Sequence, residues 1–189
     1  MPGTAIGKNL ALGYAGKVSR NPLNKINSRM VKSILDGSGN ETMAAIPFGS
    51  AVVTNTDNTY SLFGASGSGV SAATYANFGG IAVSEVKQSM SYGYGANVAG
   101  NGQFEPNTPA DVLQVGTTTI ICTEGTPTAN GLVYIVTVAG STSPLGSIVA
   151  TATPAGGTAV QLTNARFTNG KQDTATGITE IVLLSQANA

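Results

Sequence analysis

Seven short β-type segments, separated by clusters of glycine, asparagine and proline, restrict the fold of this chain more than any other feature. The segments are rich in β-branched and aromatic residues, which suit strands, and the clusters between them suit turns. The segments are residues 46–54, 80–86, 111–123, 132–138, 147–153, 159–163 and 178–184. This spacing predicts a single all-β domain built as a sandwich, jelly roll or barrel.

Apolar residues alternate with polar ones along these segments, which predicts one buried face for each strand. The residues predicted to form the core are Phe48, Val52, Phe78, Ile81, Val83, Val133, Ile135, Phe167, Ile181 and Leu183. The single cysteine, Cys122, closes the apolar run 119–122 and is expected to be buried. It has no second cysteine with which to form an internal disulfide.

Charge is distributed unevenly along the chain, although the formal net charge is zero. Six bases and no acid lie before Asp36, whereas three bases and nine acids lie from Asp36 onward. This asymmetry predicts an extended basic N-terminal arm over residues 1–44 and a β body over residues 45–189. Because the predicted strands begin near residue 46, the body is expected to fold without the arm.

One part of the arm has the periodicity of a helix. Ile26, Met30 and Ile34 are spaced four residues apart, and the segment ends at Asp36 and Gly37, where glycine can cap a helix. The arm is therefore expected to contain at most one short helix.

The composition excludes several kinds of functional site. The chain has no histidine and one cysteine, so Ser-His-Asp triads, Cys–His pairs, His-ligated zinc and multi-cysteine metal sites are impossible. We therefore predict that this protein is not an enzyme, with no catalytic residues, no metal, no cofactor and no small-molecule substrate.

Nucleic acid and membrane are not expected as partners. The bases are spaced singly, without the arginine-rich run that would follow a phosphate backbone. The longest apolar run, residues 131–140, has about half the length needed to span a membrane. Residues 1–16 lack the pattern of a secretory signal, so synthesis in the cytoplasm is the expectation.

Two partial motif matches have simpler interpretations. Residues 67–72 fit a dinucleotide-binding glycine pattern but are followed by neither an amphipathic helix nor a ribose-binding acid, which indicates a loop. Asn55, Asp57 and Thr59 alternate like calcium ligands but lack a closing glutamate, which indicates a turn.

Low charge favours a structural role. Only 10% of the residues are charged, well below the roughly 25–35% of a typical soluble surface. A chain with so few charges is prone to self-association, and burial in an assembly removes its weakly charged surface from solvent. Surfaces of serine, threonine, asparagine and glycine also lose little side-chain entropy in tight contacts.

The long Gly/Ser/Asn/Tyr-rich stretches 64–76 and 89–107 are expected to be surface loops. The second stretch contains Tyr92, Tyr94 and Phe104, which are candidates for a contact with another copy of the chain or with another protein of an assembly.

Six segments, taken in order, resemble the capsid decoration proteins of tailed phages, the structural cement family. They are residues 45–53 (AIPFGSAVV), 78–85 (FGGIAVSE), 111–116 (DVLQVG), 131–134 (GLVY), 165–167 (ARF) and 177–184 (GITEIVLL). The resemblance covers residues 16–184. It implies an all-β body of jelly-roll or barrel type, an extended N-terminal arm and no catalysis.

The resemblance also implies a location and partners. The expected protein is a homodimer or homotrimer that binds the major capsid protein on the outer surface of the virion and bridges neighbouring capsomers. The arm would lie on an acidic surface and insert its apolar side chains into grooves. The predicted contact residues of the arm are Lys8, Lys17, Arg20, Lys25, Arg29, Lys32, Leu10, Leu12, Leu23, Ile26 and Met30.

Two other classes of function stay open at this point. One is a tail, fibre or adhesin-like β protein whose tyrosine-rich loop binds a host surface glycan. The other is a hydrolase that uses Glu105 and Asp111, which would have to work without histidine or a metal cluster.

Overall fold

The computed structural model describes residues 14–19, 23–84, 102–170 and 176–186. Within these ranges the regular structure is β, apart from one 3₁₀ turn at Tyr75–Asn77, and the predicted all-β class is confirmed. The strands are β1 Val18–Ser19, β2 Lys25–Met30, β3 Ile46–Pro47, β4 Ala51–Thr54, β5 Tyr60–Leu62, β6 Phe78–Ala82, β7 Gln103–Phe104, β8 Pro109–Ile121, β9 Leu132–Val138, β10 Ile148–Val149, β11 Thr158–Phe167 and β12 Ile178–Leu183.

β8 is the longest strand and belongs to both halves of the main sheet. Its C-terminal half pairs with β12 and β1, and its N-terminal half pairs with β2 and β6. The sheet follows the order β10-β9-β11-β12-β8-β6-β4-β5, while β3 and β7 form a separate pair. β8 therefore connects the two halves through one continuous backbone.

Two single-residue bridges, one in each half of the sheet, bring the end strands of that half together. Cys122, directly after β8, pairs with Ile148 of β10, and Val31, directly after β2, pairs with Tyr60 of β5. Because β10 and β5 are the two end strands of the sheet, each bridge joins the ends of one half. The body is therefore barrel-like, as the strand pattern predicted.

The core consists of two hydrophobic clusters. Side chains alternate along β4, so Ala51 and Val53 enter a main cluster drawn from both halves of the sheet, and Val52 enters a second cluster. The predicted core residues are buried, except that Phe48 is half-buried and packs against the second cluster. Cys122 is buried, as predicted.

The arm segment with helical periodicity does not form a helix in the described residues, which is within the expectation of at most one short helix. Residues 25–30 form β2, which pairs with β8 along its whole length. Residues four apart share a face in a helix and in a strand, so the spacing of Ile26 and Met30 fits both. Pairing with β8 satisfies the backbone polar groups and decides the outcome.

β1 and β2 lie within the predicted arm, yet both pair with β8. This pairing argues against a body that is independent of the arm. The division of the chain at residue 44 stays a prediction.

Between β1 and β2 the chain passes from one side of β8 to the other. Before β1, the carbonyl of Gly16 accepts a hydrogen bond of 3.0 Å from the N–H of Ser84, which follows β6. At the start of β2, the Lys25 ammonium donates to Gln186 Oε1, beyond β12, at 2.8 Å. β6 and β12 flank β8 on opposite sides, so the chain crosses β8 between these two points.

Gly116 makes the crossing possible. Asn24 lies over β8 at this residue, and a Cβ added to Gly116 would be 2.1 Å from Asn24 Oδ1. Gly116 also has a φ of +127°, which residues with a side chain rarely adopt. Both the close approach and the backbone conformation therefore require glycine.

Turns interrupt the strands largely where the sequence indicates. Residues 55–59 form the turn between β4 and β5, closed by a 2.9 Å hydrogen bond from the N–H of Asn55 to the carbonyl of Thr59. Residues 67–72 lie in a loop before the 3₁₀ turn, as predicted. The predicted strand 46–54 is split into β3 and β4 by a turn at Gly49, which has a φ of +82°.

Candidate interaction surface

β2 has two different faces because its side chains alternate. Asn27 and Arg29 are half-buried, whereas Ile26, Ser28 and Met30 on the opposite face are exposed. A strand that is packed on one face and exposed on the other can position contact residues without losing its place in the sheet.

The exposed face of β2 and Leu23, two residues before the strand, carry large apolar side chains. Ile26 is 39% exposed, Met30 46% and Leu23 77%. Ile26 and Met30 share one face of the strand, with Ser28 between them. Large exposed apolar side chains are candidates for contact with other molecules. We call Leu23, Ile26 and Met30, together with the two cations of the strand, the exposed Lys25 and the half-buried Arg29 of the opposite face, the β2 surface.

The two cations of the β2 surface are not neutralised by any carboxylate among the described residues. Lys25 donates its hydrogen bond to a neutral amide, that of Gln186. The Arg29 guanidinium carbon lies 5.3 Å from the centroid of the Tyr60 ring. Both contacts orient the side chain, and both leave its positive charge available to a partner.

Lys32, another residue of the predicted arm, serves an internal contact instead. Its ammonium forms an ion pair with Asp57 in the turn between β4 and β5. The hydrogen bond from Lys32, aided by the Thr59 hydroxyl at 2.6 Å, holds the pKa of Asp57 below its ordinary value. Lys17, by contrast, is exposed at the surface beside β1.

The other candidate contact residues are either buried or outside the described residues. Phe104 is 3% exposed and packs edge-to-face against Phe48 with ring centroids 5.0 Å apart, because β7 pairs with β3. The ring is therefore enclosed by the second hydrophobic cluster, and the role of Phe104 as a contact residue stays a prediction. The candidates outside the described residues are Lys8, Leu10, Leu12, Arg20, Tyr92 and Tyr94.

The two acids considered for a hydrolase have structural contacts. The Asp111 carboxylate accepts a hydrogen bond from the Ser28 hydroxyl and so connects β8 to β2. Glu105 accepts a hydrogen bond of 2.7 Å from the side-chain amide of Gln103. Neither contact is that of a general acid with a general base.

A hairpin that sequence reasoning missed projects at residues 34–42. Leu35, 63% exposed, pairs with Glu41 at its base. At its tip, the N–H groups of Ser38 and Asn40 each donate to Asp36 Oδ1 at 2.8 Å. These bonds lower the pKa of Asp36 and order the turn. The run Asp-Gly-Ser-Gly-Asn was the available signal, because aspartate and glycine favour such turns.

An open groove of about 370 Å³ lies beside β9 and is lined by neutral residues. The lining residues are Thr126, Thr128, Gly131, Leu132, Tyr134, Ala150, Thr151, Ala152 and Phe167. Within the described ranges, no cluster of three or more histidine, cysteine or acidic residues could hold a metal ion. No helix in the described part of the chain is both long and apolar enough to cross a membrane.

The barrel-like fold and the β2 surface describe an all-β protein with exposed apolar and basic side chains on and beside one strand. A family model described as "Structural cement protein (E217 gp24/Pam3 gp6)" matches residues 1–184. The chain belongs to this family and is a structural protein of the phage capsid, as the resemblance of its segments indicated. The family is not an enzyme family. No curated protein matches the chain.

Proposed function

We propose that this protein binds the outside of the assembled phage head and bridges neighbouring capsomers. Membership of the structural cement family supports this proposal, and the observation that carries it is the β2 surface. There, exposed apolar side chains and cations that have no carboxylate partner among the described residues lie on or beside a strand held in a fixed orientation by β8. Such a surface suits contact with an acidic, partly apolar region of the major capsid protein.

Stabilisation of the shell would follow from binding linkage. A ligand that binds only the expanded shell stabilises it by RT ln(1 + [L]/Kd), about 2.7 kcal/mol per site at a hundred times Kd. Many sites are occupied on one shell, so modest energies at each site add up. The protein therefore needs no catalytic chemistry to act on the capsid.

Self-association forms part of the proposal. The low content of charged residues leaves little electrostatic repulsion between copies, which supports a homodimer or homotrimer. An oligomer would carry several β2 surfaces and could bind more than one capsomer at a time.

Co-sedimentation with purified expanded capsids that lack this protein tests the proposal. We expect the wild type to bind and the triple variant Leu23→Ser, Ile26→Ser, Met30→Ser to bind at least about tenfold more weakly. The matched control is Leu132→Ser with Val138→Ser, since both residues are exposed and apolar but lie on β9. The control should bind like the wild type.

Salt separates the charged part of the contact from the apolar part. Changing Lys17, Lys25 and Arg29 to glutamine should weaken binding at low salt and reduce its dependence on salt, because exposed charges are screened. Wild-type protein that fails to sediment with capsids at either salt concentration would overturn the proposed function.

A further inference from the structure

The outer edge of β2 has backbone groups that no described strand pairs with. Hydrogen bonds show which residues face outward: the N–H of Val31 donates to Thr108 beside β8 at 2.9 Å, whereas the next N–H, of Lys32, donates away from β8 to Tyr60 at 2.7 Å. Backbone polar groups alternate in direction along a strand. The N–H and C=O of Ile26 and Ser28 therefore point away from β8.

This free edge is short. β5 covers the outer side of the chain from Val31 onward through the bridge to Tyr60, so residues 25–29 form the open part. β2 has β8 as its ladder partner among the described strands. The open part contains two residues whose backbone groups face outward, Ile26 and Ser28. An extended segment of a partner can pair with these groups, as in β-strand augmentation.

The charges on this edge argue against a second copy of β2 as the added strand. Two copies pairing antiparallel through Ile26 and Ser28 would place Asn27 on the two-fold axis and Lys25 opposite Arg29. Like charges directly opposite each other are destabilising. A segment with acidic residues at those positions would neutralise both cations, which have no carboxylate partner among the described residues.

We propose that the outer edge of β2 binds an extended acidic segment of the capsid by strand addition. In antiparallel pairing the segment would carry two acidic residues four positions apart, opposite Lys25 and Arg29. An apolar residue beside one of the acids would pack on Ile26. This inference rests on the proposed function and specifies the chemistry of the partner and its mode of binding.

A proline substitution tests the backbone contact of the β2 edge separately from its side-chain contacts. Ser28→Pro removes an outward N–H and leaves the hydrogen bonds to β8 in place, because proline is tolerated at an edge position. Ser28→Ala is the matched control: it loses the hydroxyl contact to Asp111 and keeps the N–H. We expect Ser28→Pro to bind purified expanded capsids about tenfold more weakly than the wild type, and Ser28→Ala to bind normally.

Hydrogen exchange resolved to single amides tests the same contact without a substitution. In the free protein, the amides of Asn27 and Arg29 should be protected by β8, and those of Ile26 and Ser28 should exchange freely. Binding to capsids should then slow exchange at Ile26 and Ser28 at least about tenfold.

Other results would overturn the strand-addition model. Protection of Ile26 and Ser28 in the free protein would show that the edge is already covered, by a second copy if it depends on concentration and by the same chain if it does not. Capsid binding that leaves both amides exchanging freely would refute strand addition and leave the proposed function intact. Failure of the wild type to bind capsids would refute the proposed function itself.

Discussion

At the scale of single residues, two phenylalanines should contribute most strongly to stability. Phe167 is 1% exposed and Phe78 is 4% exposed, and both belong to the main hydrophobic cluster. Truncating either to alanine removes apolar contacts and leaves a cavity, so we expect losses of about 3–5 kcal/mol in the free energy of unfolding. Urea titration measures this loss. Leu35→Ala, at an exposed site, should change it little, and equal effects at all three sites would contradict the assigned core.

Cys122 should react slowly with thiol reagents in the native protein. Burial raises the pKa of its thiol, so the reactive thiolate is scarce at neutral pH, and the side chain is hardly accessible. Labelling with a chromogenic disulfide should be slow in buffer and fast in denaturant. Rapid labelling of the native protein would mean that the bridge between Cys122 and Ile148 opens readily.

Glu124 connects three loops and should make stability depend on pH. Its carboxylate accepts hydrogen bonds from the Thr142 hydroxyl, the Ala155 N–H at 2.9 Å and the Ser143 hydroxyl at 2.8 Å, which together lower its pKa. A lowered folded-state pKa gives stability that is complete above the unfolded value and is lost as pH falls through the folded value.

Glu124→Gln should therefore melt below the wild type at pH 7. The difference in Tm should close as pH falls below the ordinary glutamate value of 4.5. Thermal melts followed by circular dichroism from pH 7 to pH 3 measure it. A difference in Tm that stays constant over this range would show that the carboxylate charge does not stabilise the loops.

At the scale of elements, the pairing of β1 and β2 with β8 determines where the chain can be shortened. Deleting residues 1–13 removes none of these pairs, so Tm should be unchanged. Deleting residues 1–36 removes both strands and uncovers Ala110 and Val112, which are buried. We expect a loss of about 3 kcal/mol or more, from hydrogen bonds and apolar burial together. Equal melting of the two truncated proteins would show that the body folds without β1 and β2.

Element prediction succeeded where local pattern and tertiary context agree. β9 occupies the predicted residues 132–138, and β12 differs from its predicted span by one residue. The residues of β2 allowed a short helix as well because a spacing of four residues does not distinguish helix from strand, and the pairing of β2 with β8 joins residues 79 to 90 positions apart in the chain. A local pattern contains no information about such a partner.

The candidate site could be predicted only in part, for the same reason. Leu23, Ile26 and Met30 were singled out because they are apolar residues among bases, and the structure leaves all three exposed. Phe104 has the same apolar character in a glycine-rich stretch and is buried, because β3 lies against it. Composition identifies residues able to make a contact, and the fold decides which of them face outward.

At the scale of the whole molecule, uneven charge has a directional consequence. Cations are concentrated before Asp36 and acids from Asp36 onward, and β8 holds Lys25 and Arg29 on the sheet with fixed orientation. A protein with zero net charge and this separation of charge is expected to approach an acidic surface with its cations facing that surface. We therefore expect the uneven charge to orient the proposed binding, even though the net charge is zero.

Stabilisation of capsids is the corresponding prediction for the assembled particle. If the protein binds the expanded shell selectively, the temperature at which purified capsids break should rise with the logarithm of free protein concentration above Kd. Light scattering or release of a DNA-binding dye during heating measures that temperature. The triple variant Leu23→Ser, Ile26→Ser, Met30→Ser should need a correspondingly higher concentration for the same rise, because its affinity is lower. Wild-type protein that binds capsids without raising their disruption temperature would show that it decorates the head without cementing it.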